Sequence, residues 1–115
     1  MVYLFETKLL ENKSIFFALS GVYGIGRAKS FKICKKLGFS ANLKVRDLSE
    51  EHTLKISKLI ESSDFTITGE LRKIQILNLK RLVSIKSYRG IRRIKGLPVR
   101  GQRTHTNAKS ARRKK

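Results

Sequence analysis

Val22-Tyr23-Gly24-Ile25-Gly26 runs into Arg27-Ala28-Lys29-Ser30-Phe31-Lys32-Ile33-Cys34-Lys35-Lys36-Leu37 and then Gly38. This order reads as a glycine-bracketed turn that opens a helix from Arg27 to Leu37, stopped by a second glycine. Ala28, Phe31, Cys34 and Leu37 recur at helical spacing and are expected on the core side. Arg27, Lys29, Lys32, Lys35 and Lys36 mark the other side as a face for water or for something negative. A nucleotide-hydrolysing phosphate loop does not fit. Gly21 and Gly26 have the right separation, but Arg27 and Ala28 stand where a lysine and a metal-binding hydroxyl are required.

Upstream, Met1 to Phe5 is a short apolar start, readable as a strand or as an extended arm. Asn12 can cap a first helix through Ile15, Phe16, Phe17 and Leu19, with Gly21 ending it. Downstream, Ser40 to Val45 reads as a connector. Ser49 is a strong N-cap, with Glu50 and Glu51 where the helix dipole favours acids, and a helix to about Glu61 should bury Ile56, Leu59 and Ile60. Thr66 or Thr68 can cap a longer helix through about Ser84. Leu71, Ile74, Leu77, Leu82 and Ile85 repeat along it as a spine, with Arg72, Lys73, Lys80 and Arg81 off the stripe. Tyr88 to Lys95 can add a brief helix that Gly96-Leu97-Pro98 ends. No convincing strand pair is legible, so the expected class is all-α: a small helical domain over 1–87, with a long central helix, and an extended basic C-terminal tail over 88–115.

Charge divides the chain. The total is +19 over 115 residues; residues 65–115 hold 16 basic groups against Glu70 alone. From Lys86 onward there are twelve Lys or Arg in thirty residues and no acid. Such a segment cannot bury enough apolar surface to offset the roughly 1–2 kcal/mol per residue lost on ordering backbone, so it needs a polyanion to fold against. Nucleic acid is the favoured partner and an anionic membrane surface the second. The longest charge-free run, Ser14 to Gly26, is 13 residues, short of the ~20 a bilayer requires. The opening residues fit neither a secretory signal nor an organellar presequence, so the protein is expected to work where it is made.

Catalytic material is scarce. Cys34 is the single cysteine, and His52 and His105 lie far apart, which excludes an intrachain disulfide and a tetrahedral zinc site. Eight acids and two separated histidines give no nucleophile–base pair; neither enzyme nor cofactor is expected. His52 reads as a helix-surface residue and His105 as part of the arm. Gly24-Ile25-Gly26, by contrast, resembles the phosphate-gripping turn of helix-hairpin-helix and helix-two-turns-helix modules, in which backbone amides of Gly24 and Gly26 face phosphate beside Arg27 and Lys29. On that ground alone a DNA-binding or DNA-repair module is an alternative.

The C-terminal stretch is more specific. Tyr88-Arg89-Gly90-x-Arg92, then Gly96-Leu97-Pro98-Val99-Arg100-Gly101-Gln102-Arg103-Thr104-x-Thr106-Asn107-Ala108, closely resembles the signature of the universal small-subunit ribosomal protein S-thirteen family. About 100 of the 115 residues follow that family's pattern in order. Arg93 stands where many bacterial members have His, and Met1 to Glu11 is unlike the usual bacterial start. The resemblance implies a helix-two-turns-helix domain in the head of the small subunit, bound to small-subunit rRNA. It also implies a bridge to large-subunit components, a contact with the neighbouring protein S-nineteen, and a tail reaching P-site tRNA. By position, Arg89, Arg92, Arg100, Arg103, Thr104, Thr106 and Asn107 are the implied rRNA contacts, and Arg112, Arg113, Lys114 and Lys115 approach tRNA or rRNA backbone. Arg72, Arg81, Arg93, Lys95 and Lys109 complete the expected RNA-facing set. The ending Thr104-His105-Thr106-Asn107, in a chain rich in Lys, Ile, Ser and Phe, looks more like mitochondrially encoded members than bacterial ones, with bacterium or plastid as the alternative source.

Overall fold

The apolar start of the chain forms one strand of a hairpin, in which exposed Tyr3 and Lys8 sit between less exposed neighbours. The computed structural model describes residues 2–113; Lys114 and Lys115 lie outside the described residues. β1 (Val2–Leu4) pairs antiparallel with β2 (Thr7–Leu9), Leu4 opposite Thr7 and Val2 opposite Leu9. No convincing strand pair is legible in the sequence, yet the structure has one, and Val2–Leu4 is a strand rather than an extended arm. Phe5 and Glu6 connect the strands with φ of 47° and 62°, the two-residue turn whose twist matches paired strands. Leu4 and Leu9 point into the core.

α1 (Ile15–Leu19) follows, with Ser14 rather than Asn12 at its N-cap position, where it makes no side-chain capping bond, and closed at Ser20 rather than Gly21. Asn12 falls inside a turn closed by Lys13 N–H on Leu10 O, and the chain then pairs with the later connector: Ile15 N–H donates to Leu43 O and Val45 N–H to Lys13 O. α2 (Arg27–Leu37) has the expected bounds, ending with Gly38 at φ 69°. Amides of Gly38 and Phe39 donate back to Lys35 and Cys34 carbonyls, a glycine-closed helix end. Its inward face differs from the expectation. Ser30, Ile33 and Cys34 are buried, while Ala28 and Phe31 are exposed. A 3₁₀ turn (Val45–Asp47) leads to α3 (Glu50–Glu61), which packs on α2 as α1 does.

Ser49 caps α3 as expected. Its Oγ accepts from His52 N–H and its own N–H donates to His52 Nδ1, so a histidine takes the place of the usual Glu or Gln in a capping box. The His52 ring also meets Phe39 edge to face at 5.4 Å; it is half-buried rather than a plain surface residue. Ile56 and Ile60 are buried and Leu59 is half-buried.

α4 (Thr68–Ser84), α5 (Tyr88–Lys95) and α6 (Lys109–Arg113) complete the described helices. The protein is therefore predominantly helical, with one small two-stranded sheet among the described residues. It divides into two compact units at Leu71/Arg72. Among the described residues the buried hydrophobic core, from Leu4 to Ile67, lies in the first unit. The turn before α2 is built into that core. Gly24 has φ 99°, and a Cβ there would sit 3.0 Å from both Ile67 Cα and Thr66 O. Thr68 N–H donates to Tyr23 O at 2.8 Å in the same place. Gly26 is extended, with nothing within 4 Å of an added Cβ. Gly24→Ala should therefore destabilise the first unit by about 2–4 kcal/mol and Gly26→Ala by less than about 1 kcal/mol. Paired thermal melts check the order, and equal melting points would contradict this account of the turn.

Candidate nucleic-acid interface

The second unit is held by helix ends rather than by a core. Leaving α4, the chain turns at Lys86 with φ 54°. Lys86 and Ser87 amides donate back to Val83 and Leu82 carbonyls. Ser87 then caps α5: its Oγ accepts from Gly90 N–H at 3.1 Å and donates to Leu82 O at 2.9 Å. Gly90 lies directly on the α4 backbone, where a Cβ would fall 2.6 Å from Leu82 O. α5 closes at Gly96, φ 68°, with Leu97 N–H on Arg92 O. Each of these contacts positions α5 and its basic side chains.

Beyond Pro98 the arm is irregular but not straight. Gly101, Thr106 and Ala108 all have positive φ, 71°, 59° and 68°. Two are not glycine, and such residues in the left-handed region cost on the order of 1–3 kcal/mol each unless their surroundings hold them there. The bends bring α6, which the sequence did not announce, to the same cavity as α5. That cavity has a volume of about 850 Å³. It gathers Arg89, Arg93, Arg100, Arg103, Thr106, Asn107 and Lys109 from the expected set. Within it Gln102 Oε1 accepts from Arg100 N–H at 3.2 Å, and Thr106 Oγ1 accepts from Arg103 Nη2 at 3.4 Å. Gln102, Ser110 and the apolar residues Leu97, Pro98, Val99, Ala108 and Ala111 also line it. Sequence reading missed these as a site because only the fold-back of the arm makes them neighbours.

The remaining expected residues are placed elsewhere. Arg92 is half-buried, its Nε donating to Tyr88 Oη at 3.0 Å and its guanidinium lying 5.4 Å from the Tyr88 ring centre. Lys95, Thr104, Arg112 and Arg113 are exposed outside the cavity lining, and Arg72 and Arg81 are exposed on α4. In the first unit, Arg27 is exposed at the start of α2. Lys29 is committed inward, donating to Gly24 O at 3.0 Å, with its ammonium 4.9 Å from the Phe65 ring centre. The first turn of α2 has neither a side-chain cap nor an acid, so its amides, which lack acceptors within the helix, present the positive end of the dipole.

The chemistry of these surfaces is electrostatic. If all eight acids were paired, nineteen cations would still lack an internal counter-charge. Burial pushes the Cys34 thiol pKa up, which favours the neutral thiol. Among the described residues no cluster of His, Cys, Asp or Glu could hold a metal ion, and no helix is long and apolar enough to cross a membrane. α4 adds a second kind of surface. None of its residues is buried, and Ile74, Ile76, Leu77 and Leu79 are 38–62% exposed.

Comparison with known proteins agrees with these features. The family model described as ribosomal protein S13/S18 matches residues 3–110. Small ribosomal subunit protein uS13 of Borrelia duttonii is 46% identical over 102 residues, covering 89% of this chain and 81% of that protein. Small ribosomal subunit protein uS13m of Schizosaccharomyces pombe is 45% identical over 111 residues, 96% of this chain and 72% of that one. The uS13m protein of Marchantia polymorpha is 43% identical over 112 residues, 97% and 92% respectively. With its helical first unit, its basic arm and this similarity along nearly its whole length, the chain belongs to the ribosomal protein S13/S18 family of non-enzymatic, structural small-subunit proteins.

Proposed function

We propose that this protein binds small-subunit rRNA in the head of a mitochondrial small ribosomal subunit, with its C-terminal arm as the principal RNA contact. One observation carries the reading: the unit that holds nearly all the excess positive charge holds none of the buried hydrophobic core. A segment so built gains its stability from an external anion, and RNA supplies phosphates at matching density. Arg89, Arg93, Arg100, Arg103, Thr106, Asn107 and Lys109 face rRNA around the cavity. Thr104 adds a further rRNA contact, and Arg112, Arg113, Lys114 and Lys115 continue toward P-site tRNA or rRNA backbone. The amides of Gly24, Gly26 and the first turn of α2, with the Arg27 cation, face a separate phosphate, while Lys29 steadies that turn. Arg72, Arg81, Arg92 and Lys95 supply further charge.

The exposed apolar residues of α4 suit a protein neighbour better than RNA, since exposed apolar patches mark protein contacts. Small-subunit protein S-nineteen is the neighbour we assign, with large-subunit components meeting the domain across the head bridge. The mitochondrial assignment rests on the Thr104–Asn107 ending and on kinship with uS13m proteins of a yeast and a liverwort, although a bacterial uS13 matches as closely.

Tagged protein should co-sediment with small subunits in gradients of mitochondrial lysate and resist release at moderate salt. Its recovery in the soluble fraction, while intact small subunits pellet without it, would defeat the proposal. Binding to a head-domain rRNA fragment should also exceed binding to duplex DNA of equal length; the reverse order would favour a DNA-binding module built on the Gly24–Gly26 turn.

A further inference from the structure

We propose that the open cavity lined by α5, the arm and α6 is a pocket for a single nucleotide extruded from an RNA helix, with its base against the apolar wall and its phosphates on the guanidinium groups. This rests on the RNA-binding reading above and narrows it from a charged surface to a defined ligand. The volume, about 850 Å³, lies within the ~300–1,000 Å³ of sites that engulf small ligands.

The lining is of two kinds, and their separation carries the argument. Pro98 is buried, and Leu97, Val99, Ala108 and Ala111 are half-buried. Arg89, Arg93, Arg100 and Arg103 are exposed. Phosphate alone has no use for the apolar wall, whereas a base removed from its stack needs a surface to replace its lost neighbours. Guanidinium planes can hold phosphate and also cover a base face. Asn107 adds a carboxamide able to donate to and accept from a base edge. The left-handed backbone at Thr106 and Ala108 brackets that residue, so unfavourable conformations are concentrated where the ligand would be read. A free nucleotide could offer the same chemistry, but the charge on this part of the chain far exceeds what one nucleotide neutralises, and this favours a polymer.

The test uses the full-length protein and three probes: an RNA hairpin with one bulged adenosine, the same hairpin fully paired, and free AMP. At about 0.15 M salt the bulged hairpin should bind at least roughly tenfold tighter than the paired one, the equivalent of one stacked base. AMP should not compete at micromolar concentration. With 2-aminopurine as the bulged residue, binding should shield it from acrylamide quenching. Ala111→Trp, which fills the cavity from α6, should bring the two hairpins to equal affinity while leaving the salt dependence unchanged. Equal affinity of the wild-type protein for both hairpins would overturn the pocket and leave RNA binding intact. AMP competing as well as the bulged hairpin would overturn the RNA-borne ligand. Failure to bind either hairpin would remove the RNA reading itself, and the pocket with it.

Discussion

Deletion of residues 97–115 should weaken binding to a head-domain rRNA fragment by on the order of a thousandfold at about 0.15 M salt, and should flatten its salt dependence. For the intact protein, about eight phosphate contacts give a slope of log affinity against log salt near −6 to −7. The deletion removes Arg100, Arg103, Lys109, Arg112, Arg113, Lys114 and Lys115, leaving a slope shallower than about −2. A milder change sets the scale. Converting Arg100, Arg103, Arg112 and Arg113 to Gln, with the backbone caps of α5 untouched, should reduce the slope by about 3. Among the described residues the hydrophobic core ends at Ile67, and the buried Pro98 belongs to the second unit, so both variants should keep the wild-type melting behaviour of the first unit. A truncated protein that is folded and binds with an unchanged slope would place the main anion contact elsewhere, with the α2 turn as the first candidate.

The division of labour behind that expectation was legible in the sequence; the shape of the second unit was not. Helix ends could be read because they carry local chemistry: Gly38 accepts a left-handed closure, Ser49 a capping bond, and Gly96 the end of α5. The hairpin is hidden in the sequence because Phe5-Glu6 carries no glycine or asparagine to signal a tight turn, and Val2-Tyr3-Leu4-Phe5 is an unbroken apolar run that shows no strand alternation. The inward face of α2 was misread for a geometric reason. A strict spacing of three drifts by about 60° per step on a 3.6-residue helix, so Ala28, Phe31, Cys34 and Leu37 spiral around the cylinder. The buried side combines Ser30, Ile33, Cys34 and the half-buried Leu37. Ser30 is buried with no partner for its hydroxyl among the described residues, and no rule that buries apolar residues would select it.

α4 illustrates a different limit. Its stripe has helical spacing, yet Ile74 and Leu77 on it, and Ile85 just beyond its end, are exposed. Periodicity records that a face is apolar; it does not record which molecule covers it. The cavity was illegible for a related reason. Its basic residues stood out by charge, but Leu97, Val99, Ala108 and Ala111 acquire meaning only when three left-handed residues bend the arm back. Of those three, only Gly101 is a residue type that advertises such a backbone.

Gly90→Ala should be the most damaging single substitution in the second unit. An ideal Cβ at this position lies 2.6 Å from Leu82 O, 2.7 Å from Leu82 C and 2.9 Å from Val83 N. All three are backbone atoms that cannot rotate away, so α5 must lift from α4 at a cost of about 3 kcal/mol or more. The lift pulls Gly90 N–H from Ser87 Oγ and displaces Arg89 and Arg93 from the cavity. Amide exchange at Ile91, Gly96 and Leu97 should accelerate, while Ile33, Ile56 and Ile60 in the first unit stay protected. RNA affinity should fall by roughly tenfold or more, and discrimination for a bulged nucleotide should vanish, while the arm's cations preserve most of the salt slope. Gly69→Ala provides the control: nothing lies within 4 Å of its added Cβ, and alanine in α4 should be neutral or stabilising by up to about 1 kcal/mol. Unchanged exchange at α5 in the Gly90→Ala protein would mean that the close approach of α5 to the Leu82–Val83 backbone does not hold the helix in place, and that the cavity owes its form to the arm alone.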